Sequence, residues 1–321
     1  TKNKKIKIGF ISEFFKNHTI SKLFKGLICK LDNSLFDINV YYLDNNKSID
    51  QEYFYNEKKK LLKTHKLPKS FNKKINFVLD HNLDIIFYPD IGFSTQLFYL
   101  TFMRLAKVQI TSWGHPETTG NPNIDYFLSS KLLEEDLNIA QRHYSEKLLL
   151  CDHLPMYYLK PKIKRLEEQE LASNNIYSCP QSLFKLHPDF DEIILKIFQN
   201  DKKAKIQLLK GKEKKFTNKI FNRLNKKMPN YMSNITFVNS LTAEEYINHC
   251  GRASVLLDPL YFGAGNSFHE SMFYGTPTVT MPTKFLRSRI VGGAYQQMQV
   301  NNPPIVKEIN DYVSLAVQIA N

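Results

Sequence analysis

Four cysteines, Cys29, Cys151, Cys179 and Cys250, are scattered along the 321 residues, and no two of them form a CxxC pair. This spacing supports neither a disulfide scaffold nor a thiolate zinc site, so reduced thiols of a cytoplasmic protein are expected. Long hydrophobic runs are missing as well: Val78 to Tyr88 is typical, and such runs are too short and interrupted to span a bilayer. The opening stretch, Thr1 to Lys7, is basic and polar with no apolar segment behind it. It therefore does not read as a secretory signal, and without an initiator Met both ends read as cut from a longer chain. Also absent are the order of a Ser/His/Asp nucleophile elbow and any cluster of metal-ligand residues. Hydrolysis by either route is not supported, and no metal is expected.

One sign of charge dominates, with Lys+Arg 44 against Asp+Glu 31 and a net charge of +13. A balance of that size can attract polyanions. The positives are mostly lysines spread widely, and the local runs at Glu57 to Lys60, Lys210 to Lys215 and Lys226 to Lys227 interleave no aromatics at regular spacing. The same chain is rich in Asn, Ile, Phe and Tyr, so a composition bias accounts for the lysines, and no nucleic-acid partner is expected.

Short apolar runs alternate with helical patterns. Lys5 to Ile11, Phe36 to Leu43, Asp84 to Tyr88, Val108 to Trp113 and Asp125 to Ser129 read as strands of a first half, with a helix over Ile20 to Lys30. A charged, proline-bearing stretch between Pro155 and Asn175 reads as a linker. Ile176 to Ser178, Lys205 to Leu209, Ile235 to Val238, Ser254 to Leu257 and Thr278 to Met281 then read as strands of a second half. The pattern predicts two α/β domains with parallel sheets, each binding ligands where strand ends lead into helices.

Candidate residues fall on such loops. Gly263, Ala264 and Gly265 follow the strand ending at Asp258 and let backbone amides approach a ligand closely. Asn266 and Ser267 are good helix caps, and amides at a helix start favour a phosphate. Glu270, about one turn further on, is placed to accept hydrogen bonds from ribose hydroxyls. After the first strand of the second half, Gln181 and Lys185 lie four apart and share a face of a helical turn. Lys185 can reach a diphosphate as a point charge. In the first half, His18 sits in the loop after the first strand, with a side chain suited to proton transfer or phosphate binding. His115, Thr118 and Thr119 follow the fourth expected strand in a run of turn formers. Together these residues predict a two-domain cleft enzyme that takes a phosphorylated nucleotide.

From Ile8 to about Met298, the combination of NHT at His18, RLAKVQITSWGHPETTGNPNIDYFLSS, CPQSLFKLHPDFDEI, LLDPLYFGAGNSFHESMFYGTPTVTMP and SRIVGGAYQQM resembles the catalytic region of the O-GlcNAc transferase/SPINDLY-type glycosyltransferases, family 41. The resemblance implies an α/β GT-B architecture of two Rossmann-like domains facing a cleft. Residues 1–165 would form the acceptor side and residues 166–321 the nucleotide-sugar donor side. It further implies inverting, metal-independent transfer of a sugar, GlcNAc from UDP-GlcNAc ahead of UDP-glucose or GDP-fucose, to Ser/Thr hydroxyls of a protein or peptide. No cofactor is implied, the nucleotide sugar being the co-substrate. His18 matches the family's active-site histidine, which either handles the acceptor proton or binds phosphate. Gln181 and Lys185 match its QxxxK element, with Lys185 on the donor diphosphate. Gly265, Asn266 and Ser267 fall on its phosphate loop, and Glu270 matches the ribose-binding acid.

Departures from the family pattern accompany the matches. Tetratricopeptide repeats that precede this region in relatives and select acceptors are not in the chain. Tyr246 stands near where the animal enzyme carries a histidine beside the base. PDIG at Pro89 to Gly92 differs from the animal and plant forms, and the sequence stops soon after Tyr312 without an expected closing helix. Two other classes share the fold logic: sugar-nucleotide 2-epimerases, and a non-catalytic nucleotide-sugar binding module.

Overall fold

The computed structural model describes residues 4–43, 62–167 and 175–321. The charge run Glu57 to Lys60 and residues 168–174 of the expected linker lie outside the described residues. The chain divides by contact into two units, Thr1–Leu159 and Lys160–Asn321. None of the described helices is long and apolar enough to cross a membrane.

The first unit is built on a seven-stranded sheet: β1 (Ile6–Ser12), β2 (Phe36–Tyr42), β3 (Lys63–Lys66), β4 (Ile85–Tyr88), β5 (Val108–Ser112), β6 (Tyr126–Ser130) and β7 (Lys147–Cys151). Their order is β3-β2-β1-β4-β5-β6-β7, and every pairing is parallel. A parallel sheet is covered on both faces, which is why β1 reads as a nearly continuous apolar run: Ile8, Phe10 and Ile11 are all buried. Ile11, Tyr41, Ile86 and Tyr88 pack with Val78 of the helix Phe71–Leu79 and Leu97 of the helix Thr95–Leu100. Each such side chain contributes about 1.5–3 kcal/mol of burial.

The second unit carries β8 (Ile176–Cys179), β9 (Lys205–Leu209), β10 (Ile235–Val238), β11 (Val255–Leu257) and β12 (Thr278–Val279), ordered β10-β9-β8-β11-β12 and again all parallel. Phe190, Ile193 and Ile197 of the helix Phe190–Asn200 pack against Tyr312, Val313 and Ala316 of the helix Ile309–Ala320 over this sheet. Helix Ala243–Arg252 starts with a complete capping box between Thr242 and Glu245. In both sheets the first strand lies between the second and the fourth strand of its unit. The chain therefore reverses its winding between β1 and β4, and between β8 and β11. In doubly wound sheets ligands bind in the crevice outside the carboxyl ends of the two strands at such a reversal.

Two strands, β3 and β7, go beyond the expected set. Lys63–Lys66 is an outer strand with no aliphatic residue, joined to β2 through its backbone and through His65 Nε2 and Asn39 Oδ1, 2.9 Å apart. Lys147–Cys151 is the other edge and pairs with β6 alone.

Candidate functional site

In the second unit, the reversal point brings together the loop after β8 and the loop after β11. The turn Leu183–Lys185 places Lys185 so that its Nζ donates to Gln181 Oε1 at 3.1 Å and to the Gly263 carbonyl oxygen at 2.8 Å. Gln181 is buried, and its Nε2 donates to Ser267 Oγ at 2.7 Å. Four expected residues, Gln181, Lys185, Gly263 and Ser267, thus form one hydrogen-bonded chain. Both contacts of the Lys185 ammonium are neutral, and among the described residues no carboxylate forms an ion pair with it. Burial holds its pKa below the usual lysine range, against the charge of Asp258. A cation that is partly stripped of water and hydrogen-bonded only to neutral oxygens among the described residues can receive an anion.

The loop itself is shaped by Asp258, which sequence reasoning passed over. This carboxylate is 2% exposed, accepts from Ala264 N at 2.6 Å and from Thr280 Oγ1 at 2.7 Å. A Cβ at position 263 would lie 2.7 Å from Asp258 Oδ2, so the close approach requires glycine there. Burial pushes the Asp258 carboxyl up to about 6, opposed by its bonds to Thr280 and Ala264 and by the charge of Lys185. The Gly263 N–H is taken by Arg287 O at 2.9 Å. The short helix Asn266–Ser271 follows, capped by Gly265. Asn266 Oδ1 has no hydrogen-bond partner among the described residues. Glu270 is buried within that helix, and its charge acts on Tyr246, whose hydroxyl donates to Pro180 O at 3.1 Å. Tyr246 also reaches the Ser267 side chain, so contacts run from Tyr246 through Ser267 and Gln181 to Lys185. Among the described residues no group of three or more His, Cys, Asp or Glu side chains could hold a metal ion.

In the first unit, His18 caps the helix Thr19–Lys30: its Nδ1 accepts from Ile20 N at 3.3 Å. A neutral ring in that role carries its proton on Nε2 and offers it as a donor. His18 stacks on Phe14 with centroids 4.4 Å apart, Phe14 meets Phe93 at 6.1 Å, and Phe93 meets His115 at 5.1 Å. The two expected histidines therefore terminate one ladder of four rings at the carboxyl ends of β1, β4 and β5. Burial lowers the pKa of His115, against the charge of Glu117. Gly92, at φ +114, lies under the His115 ring, where a Cβ would come within 3.2 Å.

Thr118 and Thr119 turn to Glu146 instead. Thr118 Oγ1 donates to Glu146 Oε2 at 2.7 Å, Thr119 N donates to Oε1 at 2.8 Å, and the Thr119 hydroxyl also bonds Oε1. Their hydroxyls hold the loop onto a buried acid. Asp90, straight after β4, is a further acid the sequence reading did not single out. It is fully buried, and neither carboxyl oxygen has a hydrogen-bond partner among the described residues. Burial pushes it up to about 7, with Ser12 opposing and Glu13 adding to the rise. A concavity of about 470 Å³ lies elsewhere in this unit, lined by Lys4, Lys5, Lys7, Asn33, Phe36, Asp37 and Lys63. It opens at the amino ends of β1 to β3, the wrong end of a doubly wound sheet for a nucleotide, so the reversal points locate the candidate site better than volume does.

No family model matches the chain. A probable UDP-N-acetylglucosamine–peptide N-acetylglucosaminyltransferase, SEC of Arabidopsis thaliana, is 22% identical over 99% of this chain and 33% of its own length. The UDP-glucose:protein N-beta-glucosyltransferase of Actinobacillus pleuropneumoniae serotype 5b is 24% identical over 77% of this chain and 40% of its own. The chain thus spans between a third and two fifths of the length of these curated relatives. A mutant of the O-GlcNAc transferase of Thermobaculum terrenum has a TM-score of 0.84 at 15% identity, covering 100% of this chain and 61% of that one. Two parallel sheets in tandem, matched over their whole length by that structure and in sequence by the plant enzyme, give the chain the α/β GT-B fold and relate it to the catalytic region of the O-GlcNAc transferase-type glycosyltransferases.

Proposed function

We propose that this chain transfers a sugar from a nucleoside diphosphate sugar, UDP-GlcNAc foremost, to a Ser or Thr hydroxyl of a protein, with inversion and without a metal ion. One observation carries the reading: the partly buried Lys185 ammonium, hydrogen-bonded among the described residues to Gln181 Oε1 and Gly263 O at the β8/β11 reversal point. In this mechanism the acceptor oxygen attacks the anomeric carbon as the bond from that carbon to the diphosphate oxygen breaks, and the acceptor's hydroxyl proton passes to the departing diphosphate or to solvent. The electron pair leaves with the diphosphate, where Lys185 meets the developing charge, a task a divalent cation performs in other transferases. Glu270 holds the ribose. His18, with Nδ1 committed to Ile20 N, acts through Nε2 as a hydrogen-bond donor. Similarity to a UDP-glucose:protein N-beta-glucosyltransferase favours a second reading, in which the donor is UDP-glucose.

Calorimetric titration with UDP, UDP-GlcNAc, UDP-glucose, GDP and GDP-fucose in EDTA tests both readings. Binding of uridine nucleotides alone is expected, and the tighter of the two UDP-sugars names the donor. A folded protein that binds none of the five, or binds only when a divalent cation replaces EDTA, overturns the proposal.

A further inference from the structure

The concavity of about 470 Å³ at the amino ends of β1 to β3 has no part in the nucleotide reading, and its lining is dominated by one sign of charge. Lys4, Lys5 and Lys7 reach it from the start of β1, and Lys63 reaches it from the first position of β3, two strands away in the sheet. Lysines spread by a composition bias have no reason to meet. These four converge from two segments distant in sequence, and the parallel register fixes the place, with Lys7 beside Asp37 and Lys63 beside Asn39. Asp37 is the single carboxylate of the lining, and Lys63 already takes it in an ion pair at 2.8 Å. The Lys7 ammonium has a neutral partner, the His81 carbonyl oxygen at 3.2 Å. Among the described residues, the side chains of Lys4 and Lys5 form no ion pair or hydrogen bond.

Like charges gathered around a concavity repel one another, and walls that displace water strengthen the repulsion relative to an open face. An anion placed among them turns that cost into attraction. Two further groups narrow its chemistry. The half-buried Phe36 ring is part of the lining, and Asn33, also in the lining, has an Oδ1 acceptor with no partner among the described residues. A ligand that satisfies all of them has a multiply charged anionic end for the lysines, a hydroxyl to donate to Asn33 and a carbon skeleton to lie against Phe36. We propose that this concavity is a second anion site, in the first unit, for a small phosphorylated compound of the sugar phosphate class.

The test reads this site with the cation of the other one removed. Pyrophosphate and glucose 6-phosphate are titrated by calorimetry into Lys185→Ala, and into wild type saturated with UDP, at about 0.15 M salt, where charges more than about 8 Å apart are screened. Binding of both anions is expected in both preparations. Lys4 and Lys5 are exposed and unbonded, so truncating them does not threaten the fold. Lys4→Ala with Lys5→Ala is expected to weaken both anions by about tenfold or more. Lys219→Ala with Lys226→Ala removes the same charge from exposed positions of the helix Lys214–Lys227, and it is expected to change them by less than about twofold. UDP binding to a chain that keeps Lys185 is expected to stay within about twofold in the Lys4 and Lys5 variant. Failure of both anions to bind, equal losses in the two double variants, or no loss without Lys4 and Lys5 overturns the site. A loss of UDP equal to the loss of pyrophosphate overturns it too, because these lysines would then act at the nucleotide site.

Discussion

Asp258 leaves no room for a side chain at Gly263. A Cβ there would meet Oδ2 at 2.7 Å and Oδ1 at 2.8 Å, and the carboxylate cannot swing aside because Ala264 N–H and the Thr280 hydroxyl hold it. Gly263→Ala is therefore expected to displace the loop that accepts Lys185, lowering unfolding free energy by about 1–3 kcal/mol and abolishing measurable nucleotide binding. Denaturant titration and calorimetry on one preparation separate the two effects. An alanine variant that binds UDP like the wild type would show that the loop backbone has no part in the site.

Lys185→Ala tests charge rather than shape. The ammonium is expected to act on phosphate oxygens, so the substitution should weaken UDP by tenfold or more, about 1.4 kcal/mol, and leave the weak binding of uridine unchanged. Equal losses for UDP and uridine would place the ammonium's effect on the base or ribose instead. Loss of Gln181 Oε1 and Gly263 O from their shared donor is a separate consequence, and Lys185→Met, which keeps the stem, controls for it.

Asp90 predicts a pH dependence. Its folded value of about 7 lies above the usual 3.8, so the folded state holds a proton there more tightly than the unfolded chain does. Stability from this group is thus greatest below pH 4 and declines as pH rises towards 7, where the buried carboxylate must ionise. The gap of about three pH units corresponds to a decline of up to about 4 kcal/mol. Asp90→Asn removes the titration. Urea midpoints at pH 5 and pH 8 are expected to show the variant gaining on the wild type at the higher pH, and an unchanged difference would contradict the raised value.

The strands that sequence alone revealed carry short apolar runs, and β10, an edge strand, is among them. Lys205–Leu209 and Ile235–Val238 coincide with their expected bounds, and the helix expected to begin near Asn266 begins there. The edge strand β3 was harder to see, because Lys63–Lys66 presents nothing apolar and its pairing depends on partners such as Asn39, distant in sequence. The site shows the same division. Gln181, Lys185, Gly263 and Ser267 carry recognisable chemistry at short spacing, and the fold joins them. Asp258 and Asp90 each follow an apolar strand directly, a pattern that a turn-forming aspartate shares, and only tertiary packing buries them. Thr118 and Thr119 looked ligand-facing because Glu146, the acid that occupies their hydroxyls, lies far along the chain.

His18 combines two roles that substitution can separate. Its Nδ1 satisfies the N–H of Ile20 at the start of the helix Thr19–Lys30, so His18→Ala is expected to lose a cap worth about 0.5–2 kcal/mol. Asparagine is a strong cap, and His18→Asn should recover that stability, yet it offers neither the stacking surface that meets Phe14 nor an Nε2 donor at the same reach. If the histidine serves transfer, both variants lose turnover while only the alanine variant loses stability. Thermal denaturation beside an initial-rate assay decides the matter: an asparagine variant that restores rate along with stability would leave His18 a structural cap and move the chemistry of the first unit to other groups on the ring ladder, His115 first among them.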